Sequence, residues 1–183
     1  MVEMTTPACD FGWQAVDFDL MGIDNKRYSL SDARGPNGLL IMFICNHCPF
    51  VKAIIDRAVK QANKLEKDGI GTIAIMPNDI INYPADSFEN MKKFALCHNF
   101  SFPYVIDKTQ DIAKSYAAVC TPDFYGFDID LRLRYRGRLD ESRFETIPDA
   151  RPELFNAMRK IAFTKVGPEI QFPSVGCSIK WRN

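Results

Sequence analysis

Two thiols stand three residues apart in Cys45-Asn46-His47-Cys48, with a histidine between them and Pro49 directly after. This spacing permits two kinds of chemistry. A pair of cysteines separated by two residues can close a small disulfide, so one sulfur can attack a disulfide in another molecule and the other can resolve the mixed disulfide. The same spacing is also half of a zinc site, whose missing ligands would have to come from Cys97, His98, Cys120 or Cys177. No second C-x-x-C and no H-x₃-H is present to supply them. Attachment of a c-type haem requires histidine directly after the second cysteine, and here that residue is Pro49. Two inert buried thiols are the plainest alternative.

The elements around the motif favour the redox reading. Leu39 to Cys45 is a continuous apolar run after the breaker GPNG at 35–38, which suits a strand covered on both faces. From Phe50 to Leu65 the apolar positions Phe50, Val51, Ile54, Ile55, Ala58, Val59, Ala62 and Leu65 recur at helical spacing. Gly69 marks the expected stop, and Ile70–Met76 reads as a second buried strand, completing a βαβ unit. The motif therefore lies where a strand's carboxyl end meets a helix N-terminus. With Asn46 as N-cap, His47 would be N1, Cys48 N2 and Pro49 N3. Cys45 would then sit just outside the positive end of the helix, exposed and favoured as thiolate, with His47 adding to the effect. Such sites bring a thiol from about 8.5 to roughly 3.5–7.5.

The rest of the 183 residues fills in an α/β pattern read as one domain over 1–183. Residues 14–19 and 26–30, on either side of turn chemistry at Gly22–Asn25, suggest a short hairpin. Asp86 or Ser87 could cap a helix through Leu96, and 104–107 is a short strand. Thr109 could cap a helix to about Val119. Residues 120–141 hold two strand-like runs with an Arg-Gly turn near 136–137, and 150–163 form a last helix. The Pro- and Gly-punctuated C-terminus is expected along the surface. Alternation puts Arg132, Arg134, Arg136 and Arg138 on one strand face, most simply a solvated one. His98 reads as a helix-end histidine and Cys120 as a small buried hydrophobe.

Lys plus Arg equals Asp plus Glu at 23 each, so no excess positive charge points to nucleic acid. No apolar run is long enough to span a bilayer, and the N-terminus has no visible export signal. The expectation is therefore a cytoplasmic protein with no nucleic-acid or membrane partner. In that compartment six scattered cysteines are mostly free thiols.

CNHCPFV, AVCTPDFYGFD, RYRGRLD and the terminal GCSIKW, together with the opening VDFDLMGIDNKRYSLSDARGPNGLLIMF, resemble a peroxiredoxin-like, AhpC/TSA-like family of the thioredoxin-like superfamily, its redoxin branch. The resemblance covers nearly the whole chain. It implies a thioredoxin-like fold, with a central mixed sheet flanked by helices, an N-terminal hairpin and a redoxin-type insertion. It also implies a redox dithiol at Cys45 and Cys48 tuned by Asn46 and His47, and a cis peptide at Thr121-Pro122 that docks substrate. Cys120, beside that pair, is a possible accessory thiol. The expected partners are protein or small-molecule disulfides and thiols, with no cofactor or metal. Thioredoxin itself has Trp before its first cysteine and Gly-Pro between the two, whereas Ile44 and Asn-His stand here. The P-x-x-x-T-x-x-C pattern of peroxiredoxins precedes neither cysteine. Thiol–disulfide exchange is therefore the first expectation, thiol peroxidase the second, and a non-enzymatic zinc or protein-binding module the third.

Overall fold

The computed structural model describes residues 2–142, 145 and 147–182. At its centre is β4 (Gly38–Phe43), buried along its whole length. Its alternating side chains feed two cores. Leu40, Met42 and Ile44 enter one, beneath α2 (Pro49–Lys67), α3 (Phe88–Cys97) and α5 (Glu153–Thr164). Leu39, Ile41 and Phe43 enter the other, beneath α1 (Leu30–Ala33), α4 (Asp111–Ser115) and the N-terminal segment. Burial on both faces is what the unbroken apolar run requires.

Beside β4 lie β5 (Ile70–Met76), in parallel register, and β8 (Asp123–Phe127), antiparallel. With β2 (Leu20–Gly22), β3 (Arg27–Tyr28), β6 (Tyr104–Ile106) and β9 (Leu133–Gly137) they form a mixed seven-stranded sheet in the order β3-β2-β6-β5-β4-β8-β9. This is the α/β architecture expected, and β2 and β3 pair as the expected hairpin. A second sheet joins β1 (Glu3–Thr5), β10 (Val175–Ser178) and β7 (Cys120–Thr121), all antiparallel, with β10 in the middle. Between α2 and β5, Gly69 adopts φ +75°, a left-handed conformation that lets the chain turn directly from helix to strand.

Four expectations need correction. The Thr109 helix is only α4, because the Asp107 carboxylate takes the Gln110 and Ala113 N–H groups and Ala117 turns left-handed at φ 50°. The Arg-Gly pair at 136–137 lies inside β9, not at a turn. The reversal comes at 128–131, where Asp128 Oδ1 accepts from the Asp130 and Arg132 N–H groups. The C-terminal segment is no surface strap, since β10 is hydrogen-bonded on both sides and Cys177 is buried. Of the four arginines only Arg134 and Arg136 lie in β9, with Arg132 and Arg138 flanking it, and three are engaged in ion pairs instead of a solvated face: Arg134 with Asp128, Arg136 with Asp123 and Arg138 with Glu153. Arg132 reaches the Gly12 carbonyl. No described helix is long and apolar enough to cross a membrane.

Candidate functional site: a buried cluster of thiols around Thr121

Cys45 and Cys48 lie in the loop between β4 and α2. The helix begins later than the sequence suggests, with Cys48 as its N-cap and Pro49 as its first residue. Proline is suited to that position because its missing N–H has no intrahelical partner there. Asn46 does not cap the helix. Its N–H donates to Asp86 Oδ1 at 2.8 Å, its Nδ2 donates to the Ala85 carbonyl at 3.3 Å, and its Oδ1 accepts from the Tyr104 hydroxyl at 3.0 Å. Ser87 caps α3, as one of the two expected candidates.

The other candidate, Asp86, does something the sequence did not announce. It is fully buried, with its Oδ2 2.7 Å from His47 Nδ1 and accepting from Asn78 Nδ2 at 2.8 Å. Its Oδ1 accepts from the Asn46 and His47 N–H groups. Asp86 therefore fixes the dithiol loop from 40 residues away in sequence. The His47 ring stacks against Tyr83, with centroids 6.0 Å apart. Cys45, His47 and Asp86 place three potential ligand atoms within 4.8 Å of one another. A structural zinc takes four ligands, and the carboxylate here already accepts four hydrogen bonds, so the cluster is closed by hydrogen bonding.

The Thr121-Pro122 peptide is cis, as the resemblance implies. Thr121 touches both thiols: its Oγ1 is 3.2 Å from Cys45 Sγ, and its carbonyl accepts from Cys48 Sγ at 3.2 Å. A third sulfur joins them. Cys177 Sγ lies 2.9 Å from Cys48 Sγ. Cys120 makes a long contact to the Pro122 carbonyl at 4.0 Å, and burial pushes its thiol well up. His98 is the expected helix-end histidine, following α3 and 2.7 Å from Asp56.

The electrostatics correct the expected placement of charge. Cys45 is 1% exposed and Cys48 0%, so neither is open at rest. The Cys48 thiol is pulled down to about 5, first by a hydrogen bond from Cys45 and then, against the effect of burial, by Cys177 and the backbone N–H groups of Val51 and Cys177. The Cys45 thiol is pushed well up, by donating to Cys48, by burial and by the Asp86 carboxylate. The inner thiol is thus the more acidic of the two.

The AhpC/TSA family model matches residues 11–136, more than half of the chain and including the dithiol and the cis-proline. The chain belongs to the AhpC/TSA family. Within the solved structures, this AhpC/TSA chain is similar over its whole length to an uncharacterized conserved protein from Geobacillus kaustophilus, at 43% identity, 97% coverage of that chain and a TM-score of 0.94. It is similar to a hypothetical protein from Sinorhizobium meliloti 1021 at 32% identity, with 97% of this chain and 98% of that one covered and a TM-score of 0.92. The thioredoxin domain of a thiol-disulfide oxidoreductase from Bacteroides vulgatus shares the fold, with a TM-score of 0.64 at 19% identity over 85% of this chain and 99% of that one. No curated protein matches the sequence. The AhpC/TSA chain is thus thioredoxin-like in fold and a redoxin by family.

Proposed function

We propose that this redoxin is a thiol–disulfide oxidoreductase whose redox unit is the Cys45–Cys48 pair, acting on protein or small-molecule disulfides. The observation that carries the reading is the convergence of both sulfurs on Thr121, 3.2 Å from each, at the N-terminus of a 19-residue helix. Cys45, at the strand end, takes the partner's sulfur: its proton passes to the more acidic Cys48, its sulfur attacks one sulfur of a disulfide, and the other departs as a thiolate that takes up a proton. Cys48 then attacks the mixed disulfide, closes Cys45–Cys48 and releases the second thiol. His47 and Asn46 act through Asp86, holding the carboxylate that bears on Cys45. Because the reduced pair has its charge stabilised at Cys48, the disulfide form is a comparatively strong oxidant. Reaction with a partner requires the cover over Cys45 to open locally.

The arginines support exchange over peroxide reduction. A peroxidatic site needs donors that orient the peroxide and stabilise the departing oxygen, and the four β9-region arginines are committed elsewhere. Trapping tests the proposal. Cys48→Ser should accumulate mixed disulfides on Cys45 with glutathione disulfide or oxidised insulin. Its turnover should drop by about 10⁴-fold, the scale on which catalytic units fail when one member is removed. Equal trapping by Cys45→Ser would reverse the two roles, and undiminished turnover of both variants would remove the reading.

A further inference from the structure

Residues 174–182 close over the dithiol as an ordered strand and tail. β10 pairs with β7 so that Cys177 stands opposite Thr121, the same residue that meets Cys45 with its hydroxyl and Cys48 with its carbonyl. On its other edge β10 is held by β1, with Cys177 opposite Glu3. The tail beyond it is fastened to the loops beside the site. Lys180 N–H donates to Asn78 Oδ1 at 2.9 Å, and the Lys180 carbonyl accepts from Asp79 N–H and Gln110 Nε2, each at 2.8 Å. Gly176 permits the approach, because a Cβ there would collide with the Thr121 carbonyl oxygen. The result is a sulfur–sulfur separation of 2.9 Å between Cys177 and Cys48, well inside ordinary non-bonded contact.

We infer that Cys177 is a third redox thiol, which converts the Cys45–Cys48 disulfide into a Cys48–Cys177 disulfide. The inference rests on the dithiol reading above. In the first stage the dithiol gives two electrons to a partner disulfide, which leaves as two thiols. Cys177 then loses its proton and its thiolate attacks Cys48 Sγ. The Cys48–Cys177 bond forms, the Cys45–Cys48 bond breaks, and Cys45 departs as a thiolate that takes up a proton. This second stage is an exchange within one chain, with no net electron transfer and no added oxidant. The sulfurs need close only from 2.9 Å to the bonded ~2.05 Å.

The resting electrostatics hold this step back until the dithiol is oxidised. Burial, followed by the hydrogen bond to Cys48 and the charge on it, pushes the Cys177 thiol up to about 12. The second and third causes disappear once Cys48 is bonded to Cys45, so oxidation of the pair makes its neighbour more acidic. The product removes Cys48 from exchange with outside partners and leaves Cys45 reduced, a parked form of the protein. Cys120, equally buried and one residue from Thr121, has no comparable sulfur contact.

Peptide mapping decides the matter. Full-length protein would be equilibrated over a range of glutathione to glutathione-disulfide ratios, quenched in acid, alkylated and cleaved with trypsin. Residues 35–52 then carry both Cys45 and Cys48, and residues 166–180 carry Cys177. Wild type should give the internally bridged 35–52 peptide and also a 35–52 to 166–180 cross-link in which Cys45 is alkylated. Cys45→Ser, which cannot form the Cys45–Cys48 bridge that Cys177 attacks, should give little cross-link. Gly176→Ala, which pushes β10 off Thr121, should lower the cross-link several-fold while the Cys45–Cys48 bridge persists. A Cys45–Cys48 bridge with no cross-link in wild type overturns the role of Cys177 and leaves the dithiol reading standing. A cross-link with Cys48 alkylated overturns it as well. Failure of both disulfides to form removes the dithiol reading, and this one with it.

Discussion

Cys48 and Asp123 are two fully buried acids on either side of Thr121-Pro122, and their surroundings push them in opposite directions. The thiol falls to about 5, while the carboxyl rises to about 6. Burial acts the same way on both, disfavouring the charge. The difference lies in the donors. Around Cys48, two S–H groups and two backbone N–H groups converge at the end of a helix. Asp123 has Arg136 at 3.1 Å, yet its Oδ1 and the Arg136 Nε each lack a hydrogen-bond partner. At Asp123 the Arg136 cation, with Tyr125 and the Phe124 backbone, does not repay desolvation, whereas the donors around Cys48 do. The reactive acid is thus the better solvated by protein, and the idle one is the more strained electrostatically.

Removing the cation should give the largest effect on the Asp123 side. Arg136→Met leaves a buried carboxylate unpaired and should cost about 3–5 kcal/mol in denaturant unfolding at pH 7. The loss should shrink as pH falls toward 6, because without Arg136 the Asp123 carboxyl is raised further and takes up its proton first. A cost that stays constant across that range would mean that Arg136 contributes through packing alone.

The pH dependence of stability should separate the two acids by sign. Asp123 is raised from 3.8 to about 6, so the folded state holds its proton longer than the unfolded one. Its contribution is fully present below pH 3.8 and is lost as pH rises through 6, a fall of about 3 kcal/mol at 1.36 kcal/mol per unit. Cys48 is lowered from 9.0 to about 5, so its contribution is present above pH 9 and is lost as pH falls through 5. The difference in unfolding free energy between wild type and Asp123→Asn should therefore slope downward with pH, and that between wild type and Cys48→Ala upward. Slopes of equal sign would break the comparison.

The smallest effect is expected at Cys120. Cys120→Ala removes one sulfur from a packed strand, which should cost about 1 kcal/mol on the scale of small core truncations. Glutathione-disulfide exchange should not change, since Cys120 contacts none of the other sulfurs. A large loss of exchange would make Cys120 part of the thiol cluster.

What the sequence disclosed and what it hid follow from the range of the interactions. β4, α2 and β5 were legible because apolar periodicity is local, and each boundary carried its own signal in the breaker at 35–38 and in Gly69. The adjacency of the dithiol to Thr121-Pro122 was legible through resemblance. Asp86 was hidden because its partners Asn46, His47 and Asn78 are identified only once the loops meet, and in sequence it competes with Ser87 as a helix cap. The helix start shifted because Asn46's side chain was claimed by Tyr104 and Ala85 instead. The fate of the arginines was hidden because alternation fixes a face but not what packs upon it. Cys177 had no readable purpose until β10 found β7, which sets Cys177 opposite Thr121, 56 residues upstream.

The order in which the chain is made gives the covering strand a temporal meaning. β4, α2 and β5 are complete by Met76, but β10 begins only at Val175. With synthesis running from the N-terminus at ~5–20 residues per second, the intervening ~100 residues take on the order of 5–20 s. Through that interval both thiols exist without their lid, and β1, already made, waits without the strand it will pair with. The molecule is born open and shuts only when β10 arrives, bringing the third sulfur with it.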